Sequence, residues 1–206
     1  MSVVGSGERR VRKQRSDGER SRQAILREAA KLATTEGLTG LSIARLADAV
    51  GMSKSGLFAH FGSKEELQLA TIEAASEIFD EEVVTPALVE TTGIGRLRAL
   101  AENFLRHVEA RVFPGGCFFA SVAAEMDTHP GPVRDRAIQM TDAWFTGLLA
   151  AVRDAQAEGA VDPAEDPGQL AFELNAYLLM ANAAFVAMDS TVPLAAARRA
   201  IDRRLS

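Results

Sequence analysis

Apolar residues along this chain recur every three or four positions and nowhere alternate with polar ones in the period-two pattern of a strand. The pattern predicts an all-α protein. Ile25, Leu26, Ala29, Leu32 and Ala33 mark one face of a first helix that opens at Ser16, which has capping-box spacing to Glu19, and closes at Gly37. A short second helix starts at Ser42, turns Ile43, Leu46, Ala47 and Val50 inward and stops at Gly51. Ser53 caps a third, which runs to about Phe61 and breaks at Gly62. Ser63, with Glu66, then opens a long helix through Leu67, Ala70, Thr71, Ala74 and Ile78 that Pro86 closes, because a proline disfavours helical geometry in the residue before it. Five helical segments follow, over 95–111, 117–126, 132–158, 167–188 and 193–205, with proline- and glycine-bearing joins.

Three divisions follow from this pattern. Residues 1–15 hold Gly5, Gly7 and the cations Arg9, Arg10, Arg12, Lys13 and Arg15, with almost nothing apolar after Val4; they predict a disordered basic arm. Residues 16–62 form a compact set of short helices, and 63–206 a helical bundle entered through a linking helix at 63–85. The composition, 47% hydrophobic and 25% charged, excludes wholesale disorder. The net charge of −5 conceals a segregation: residues 1–65 carry +5 and the remainder −10. One end suits a polyanion that the other would repel. The single Cys117 excludes an internal disulfide framework and suits a reducing cytoplasm, and no apolar signal core follows the basic start. The stretch 170–188 is long enough to span a bilayer, but Glu173, Asn175 and Asn182 lie within it, so it reads as a buried or interface helix and no membrane partner is expected.

The most informative segment, residues 41–64, reads LSIARLADAVGMSKSGLFAHFGSK. Two short helices joined at a glycine are what a helix-turn-helix needs: one braces, Gly51 permits the corner and the other projects. The second begins Ser53-Lys54-Ser55-Gly56, small polar and cationic groups that reach base edges and phosphates without bulk, while Leu57 and Phe61 face the core. Ser63-Lys64 places a cation at a helix N-terminus, a second phosphate site.

From Ser16 to about Ile78 the sequence resembles the DNA-binding domain of the tetracycline-repressor (TetR-type) family, down to the His60-Phe61, Lys64-Glu65 and Leu67 pattern that ends the motif. The resemblance implies an all-helical homodimer, usually a repressor, that binds a double-stranded palindromic operator and releases it when a small molecule enters the C-terminal domain. Carried over by position, Ser42 and Lys64 contact phosphates; Lys54, Ser55 and Gly56 lie at the groove-facing start of the recognition helix; His60 meets the DNA backbone. Phe58 stands where the family commonly has Tyr and lacks the hydroxyl for that phosphate bond. Ala44 and Ala59 are too short to bond a base, which leaves readout to Lys54, Ser55, Arg45 and DNA shape. The arm either contacts DNA or is a solvated tail.

The C-terminal two-thirds holds candidate pocket residues on apolar helices: Phe104, His107, Phe118, Met126, Met140, Trp144, Asn175 and Asn182. They imply an apolar or aromatic effector. The two asparagines need partners, whether a ligand, a second chain or backbone groups, since a buried unpaired amide costs about 1–3 kcal/mol. Leu174, Tyr177, Leu178, Ala181 and Phe185 on one helix and Leu194, Ala197 and Ile201 on the last form two apolar stripes, the expected dimer interface. An enzyme is the rival class, but His60, His107 and His129 lie far apart, no HExxH is present and no glycine-rich loop follows a strand. No catalytic residue, metal or cofactor is expected. Cys117 reads as a small core residue, and Glu125 with Asp127 as a surface acid pair. A DNA-binding dimer without small-molecule control is the remaining alternative.

Overall fold

The computed structural model describes residues 5–126 and 130–206, with side chains from residue 18 onward. Residues 1–4 of the basic arm, together with Asp127 and His129, lie outside the described residues. The described chain is helical throughout: α1 (Gly5–Glu36), α2 (Ile43–Val50), α3 (Lys54–Phe61), α4 (Lys64–Phe79), a π-helical turn (Asp80–Val84), α5 (Thr85–Ala87), α6 (Gly93–Glu109), α7 (Phe118–Met126), α8 (Pro132–Ala157), α9 (Pro167–Met188) and α10 (Val192–Arg204).

Two boundaries depart from the pattern. Helix α1 starts at Gly5, not at Ser16, so the backbone of most of the expected arm is helical and Ser16 lies mid-helix rather than at a cap. The run GERRVRKQRSDGERSRQ is rich in Arg, Lys, Gln and Glu, which lose little rotamer freedom in a helix, and its few glycines and serines do not outweigh them. Pro86 does not end the linking helix. A π turn precedes it, in which the Thr85 N–H donates to the Asp80 carbonyl, and the widened turn carries the chain into α5 with the proline at its start.

Packing divides the molecule into a head and a body. The head core joins Ile25, Leu26, Ala29, Leu38, Leu46, Leu57, Phe61 and Leu67 to Phe113, Phe118, Val122 and Met126, so α7 and the start of α8 belong to it. The body core lies between α6, α8, α9 and α10. Helix α9 is long and apolar enough to cross a membrane by length and composition alone, yet one of its faces is packed into this core.

That packing corrects the expected dimer interface. Leu174, Leu178, Ala181, Phe185, Leu194, Ala197 and Ile201 are all buried within the single chain, and Tyr177 is half-buried against them. The stripes pair α9 with α10 and with α6 and α8 of the same chain, because a bundle of this size needs that apolar area for its own core. The face of α9 left outside carries Phe172, Ala176 and Met180, spaced as one helical stripe, while Leu179, Ala183 and Ala187 border the cavity described below.

Candidate nucleic-acid interface and ligand cavity

The head is built by caps. Ser42 Oγ accepts from the Arg45 N–H at 3.2 Å and starts α2. Gly51 ends it at φ 67°, a left-handed conformation that other residues adopt at a cost. Two residues on, Ser53 Oγ accepts from the Gly56 N–H at 3.1 Å and starts α3. Ser63 Oγ likewise accepts from the Glu66 N–H at 3.1 Å and starts α4.

Burial of Leu57 and Phe61 fixes the rotation of α3 and turns Lys54, Ser55, Phe58, Ala59 and His60 outward, with Gly56 half-covered. Phe58 is 55% exposed, a large apolar side chain that packing does not account for. The Lys64 ammonium donates to the Thr39 carbonyl at 2.5 Å, beside the α1–α2 turn. Arg45 is exposed, but its guanidinium is engaged by a neighbouring acid. Its guanidinium grips Glu36 through Nε at 2.9 Å and Nη2 at 2.5 Å, a fork that holds the Glu36 carboxyl below the usual range. Base readout by Arg45 would require breaking that pair.

In the body, a cavity of about 1020 Å³ opens between α4, α6, α7, α8 and α9. Its aromatic wall is one contact cluster: the Phe79 ring centroid lies 5.2 Å from Trp144, 5.8 Å from Phe119 and 6.3 Å from Phe104. Of the sequence candidates, Phe104, Met140, Trp144, Asn175 and Asn182 line it, and His107, Phe118 and Met126 do not. Phe118 and Met126 pack into the head core. His107 is buried with Nδ1 2.7 Å from a Glu82 carboxylate oxygen and its ring against Phe79 and Phe113.

Phe79, Asp80 and Phe119 line the cavity without having been singled out. Phe118 is buried in the head core, whereas its neighbour Phe119 is partly buried against both cores and lines the cavity, and only tertiary packing decides which one meets the cavity. Both asparagines have structural partners: Asn175 Oδ1 accepts from the Trp144 indole N–H at 3.0 Å, and Asn182 Oδ1 from the Cys117 N–H at 2.8 Å. Gly116 makes the second contact possible, since at φ 85° a Cβ there would stand 2.3 Å from Asn182 Oδ1. Cys117 is buried, and burial pushes its thiol up. Among the described residues, no group of three or more His, Cys, Asp or Glu is placed to hold a metal ion.

Cavity and head share a physical link in α7. Phe119, Ala120, Ala123 and Ala124 of this helix line the cavity. One residue later, Glu125 is not a surface acid. Its carboxylate accepts from the N–H groups of Leu38 at 2.6 Å and Thr39 at 2.7 Å, and from the Thr39 hydroxyl, clasping the turn between α1 and α2. The Gly115 N–H, also at the cavity, donates to Thr34 Oγ1 at 3.1 Å near the end of α1.

Comparison with known proteins agrees with this architecture. Residues 93–201 match the family model of the tetracyclin repressor-like C-terminal domain, and residues 25–71 that of the bacterial regulatory proteins of the tetR family. The chain is 24% identical over 159 residues to the transcriptional regulator AcuR of Cereibacter sphaeroides, covering 75% of this chain and 71% of that one. A TetR transcriptional regulator from Chloroflexus aurantiacus superposes with a TM-score of 0.83 at 26% identity, covering 91% of this chain and 95% of the other. AibR, whose structure was solved in complex with isovaleryl coenzyme A and operator DNA, superposes at 0.69 with 24% identity, covering 86% and 94%. An N-terminal helix-turn-helix head joined to this C-terminal helical domain identifies the chain as a member of the TetR family of transcriptional regulators, not an enzyme.

Proposed function

We propose that the protein is a repressor that binds a palindromic operator as a homodimer and lets go when a small molecule fills the body cavity. The observation that carries this reading is α7: the helix that walls the cavity ends in the carboxylate that holds the α1–α2 turn of the head. A ligand that displaces α7 therefore reorients the head, and coupling needs only that ligand and operator prefer different placements.

In this reading Lys54, Ser55 and Gly56 approach base edges, while Ser42, Ser53, His60 and Lys64 meet phosphates and set the register. The exposed Phe58 ring supplies apolar contact to sugar or a thymine methyl. The dimer forms through the outer stripe of α9, where Phe172 and Met180 are 61% and 65% exposed. Pairing these stripes across a two-fold axis sets two recognition helices about 34 Å apart, one turn of DNA. AibR lends support, since its complex holds both operator DNA and an acyl-coenzyme A.

Fluorescence anisotropy tests this on the DNA upstream of the protein's own gene and on a scrambled duplex, each at two salt concentrations. Tight binding to the first alone is expected, with release by cavity ligands. Weak and equal binding to both would count against specific readout. Operator affinity indifferent to a broad set of apolar and aromatic compounds would leave a DNA-binding dimer without ligand control.

A further inference from the structure

The cavity has two rims of opposite character. Where it opens between α4 and α8, the exposed lining residues are Glu73, Glu77 and Asp80, with Arg136 paired to Glu73 beside them. That is the chemistry of an opening that faces water. Where it opens between α8 and α9, they are Ala143, Gly147, Leu179, Ala183 and Ala187, without a polar side chain among them. An exposed apolar rim of this kind marks a surface that another protein covers.

Two further observations say what lies over that rim. With 3.6 residues per turn, Ala183 and Ala187 fall about 20° and 60° round α9 from Phe172, inside the arc of about 80° that runs from Phe172 through Ala176 to Met180. The apolar rim and the outer stripe are therefore one surface, and whatever pairs with the stripe also roofs the cavity. On α8, Gly147 sits mid-helix, where glycine is less favourable than alanine, and a Cβ there would meet nothing within 4 Å beyond its own helix. Packing within the chain does not call for a glycine at this position; the close approach of a second chain does.

The interior is arranged to hold a ligand. Asn182 is 5% exposed; its Oδ1 accepts from the Cys117 N–H, and its amide NH2, at the cavity wall, has no acceptor among the described residues. A buried donor of that kind is costly unless a bound molecule supplies the acceptor. Asn175, two turns earlier on the same helix, likewise commits its oxygen to the Trp144 indole N–H and has no acceptor for its NH2 among the described residues.

Building on the dimer and cavity readings above, we infer that the effector site is shared between two copies of the chain, the α8–α9 rim of one protomer being roofed by α9 of its partner. The effector, an apolar molecule with hydrogen-bond acceptors for Asn175 and Asn182, enters by the polar rim and lies against the roof. Phe172 and Met180, 61% and 65% exposed in the single chain, are the side chains that each copy offers to the other. Site and dimer are then linked: the ligand binds the dimer more tightly than the monomer, and each bound ligand holds the dimer together by the same factor.

The neutral apolar dye N-phenyl-1-naphthylamine tests this, with energy transfer from Trp144, the only tryptophan in the chain, reporting its entry. Phe172→Glu/Met180→Glu and, separately, Phe172→Lys/Met180→Lys are expected to give folded monomers that bind the dye on the order of tenfold more weakly than the wild-type dimer, whichever the sign of the new charge. Wild-type protein diluted until it dissociates is expected to lose affinity by the same factor, and saturating dye to lower its dimer dissociation constant in sedimentation equilibrium. Equal dye affinity in monomer and dimer, or a loss confined to one sign of charge, would overturn the shared site and leave the cavity reading standing. Variants that stay dimeric would overturn it together with the α9 interface. A dye that does not reach Trp144 in the wild-type dimer would overturn it together with the cavity reading.

Discussion

In the head, the residues that packing leaves unexplained point outward: Lys54, Ser55, Phe58 and His60 are exposed on a helix whose orientation Leu57 and Phe61 fix from beneath. In the body they point inward, where Asn182, Trp144 and Phe119 surround a cavity whose walls come from five helices spread over more than a hundred residues. A surface reader is assembled from one short stretch of chain, because neighbouring residues on one helix face already form the contact surface. A cavity is assembled from segments that meet only after folding. The head is therefore legible in sequence order, whereas the body can be understood only through its packing.

The sharpest way to break this comparison is to treat the two faces of α9 as interchangeable, as periodicity alone does. They are not equivalent in the fold. The double substitution Phe172→Glu/Met180→Glu alters exposed positions; it is expected to leave the melting temperature nearly unchanged while splitting the dimer, with operator affinity falling about 100-fold or more as the two half-sites lose their linkage. Sedimentation velocity and anisotropy read these out together. Leu178→Ala, on the fully buried face, is expected to do the reverse, costing about 2–5 kcal/mol of stability in denaturant melts with dimerisation preserved in the molecules that remain folded. A dimer that survives the double glutamate variant would place the interface elsewhere.

The coupling between regions is the next target. Glu125→Ala strips the acceptor from two backbone N–H groups and a hydroxyl; hydrogen bonds to a charged group are worth about 1.5–3 kcal/mol, much of it recoverable here through solvent at this half-exposed turn. The expected result is a modest fall in melting temperature and, decisively, operator binding that no longer responds to a cavity ligand. Ligand-induced release at wild-type strength in this variant would remove α7 as the route.

Within the head, phosphate and base contacts separate by salt. Lys64→Ala is expected to weaken binding to all duplexes alike and to reduce the slope of log affinity against log salt by about one, while Ser55→Ala changes the ranking of operator variants with the slope intact. Anisotropy titrations across salt on two duplexes distinguish them. Equal losses on every sequence from both variants would erase the division of roles.

The sequence made the head legible because its signals are local. Ser42, Ser53 and Ser63 each cap a helix through a bond that spans three residues, and Gly51 marks its corner by composition alone. Where the signal depends on what lies across the fold, periodicity fails in identifiable ways. The stripe through Leu174, Leu178 and Phe185 says that a face is buried, and nothing in it says whether the burying surface is α6 and α8 of the same chain or a second copy. Phe118 and Phe119 are equally apolar neighbours, and Glu125 looks like any acid at a helix end until Leu38 and Thr39, 87 and 86 residues away in sequence, are brought to it. The early start of α1 has a different cause: a basic, glycine-bearing composition reads as disorder, yet its Arg, Lys, Gln and Glu favour helix.

The smallest expected effect tests whether the exposed ring of the head is a binding residue or a neutral one. Phe58 is 55% exposed and touches no core, so Phe58→Tyr adds a hydroxyl that lies in solvent in the free protein and shifts stability by no more than about 0.5 kcal/mol. If α3 lies in the major groove with this ring beside the backbone, the new hydroxyl donates to a phosphate oxygen, and a hydrogen bond to a charged group of that kind raises affinity by a few-fold to about tenfold on operator and random duplex alike. Phe58→Ala then moves the other way, losing the apolar contact. Anisotropy with the three proteins on one duplex decides it: affinities that do not order as Tyr, Phe, Ala would mean that this ring points away from the DNA, and that its exposure must be explained by some other contact.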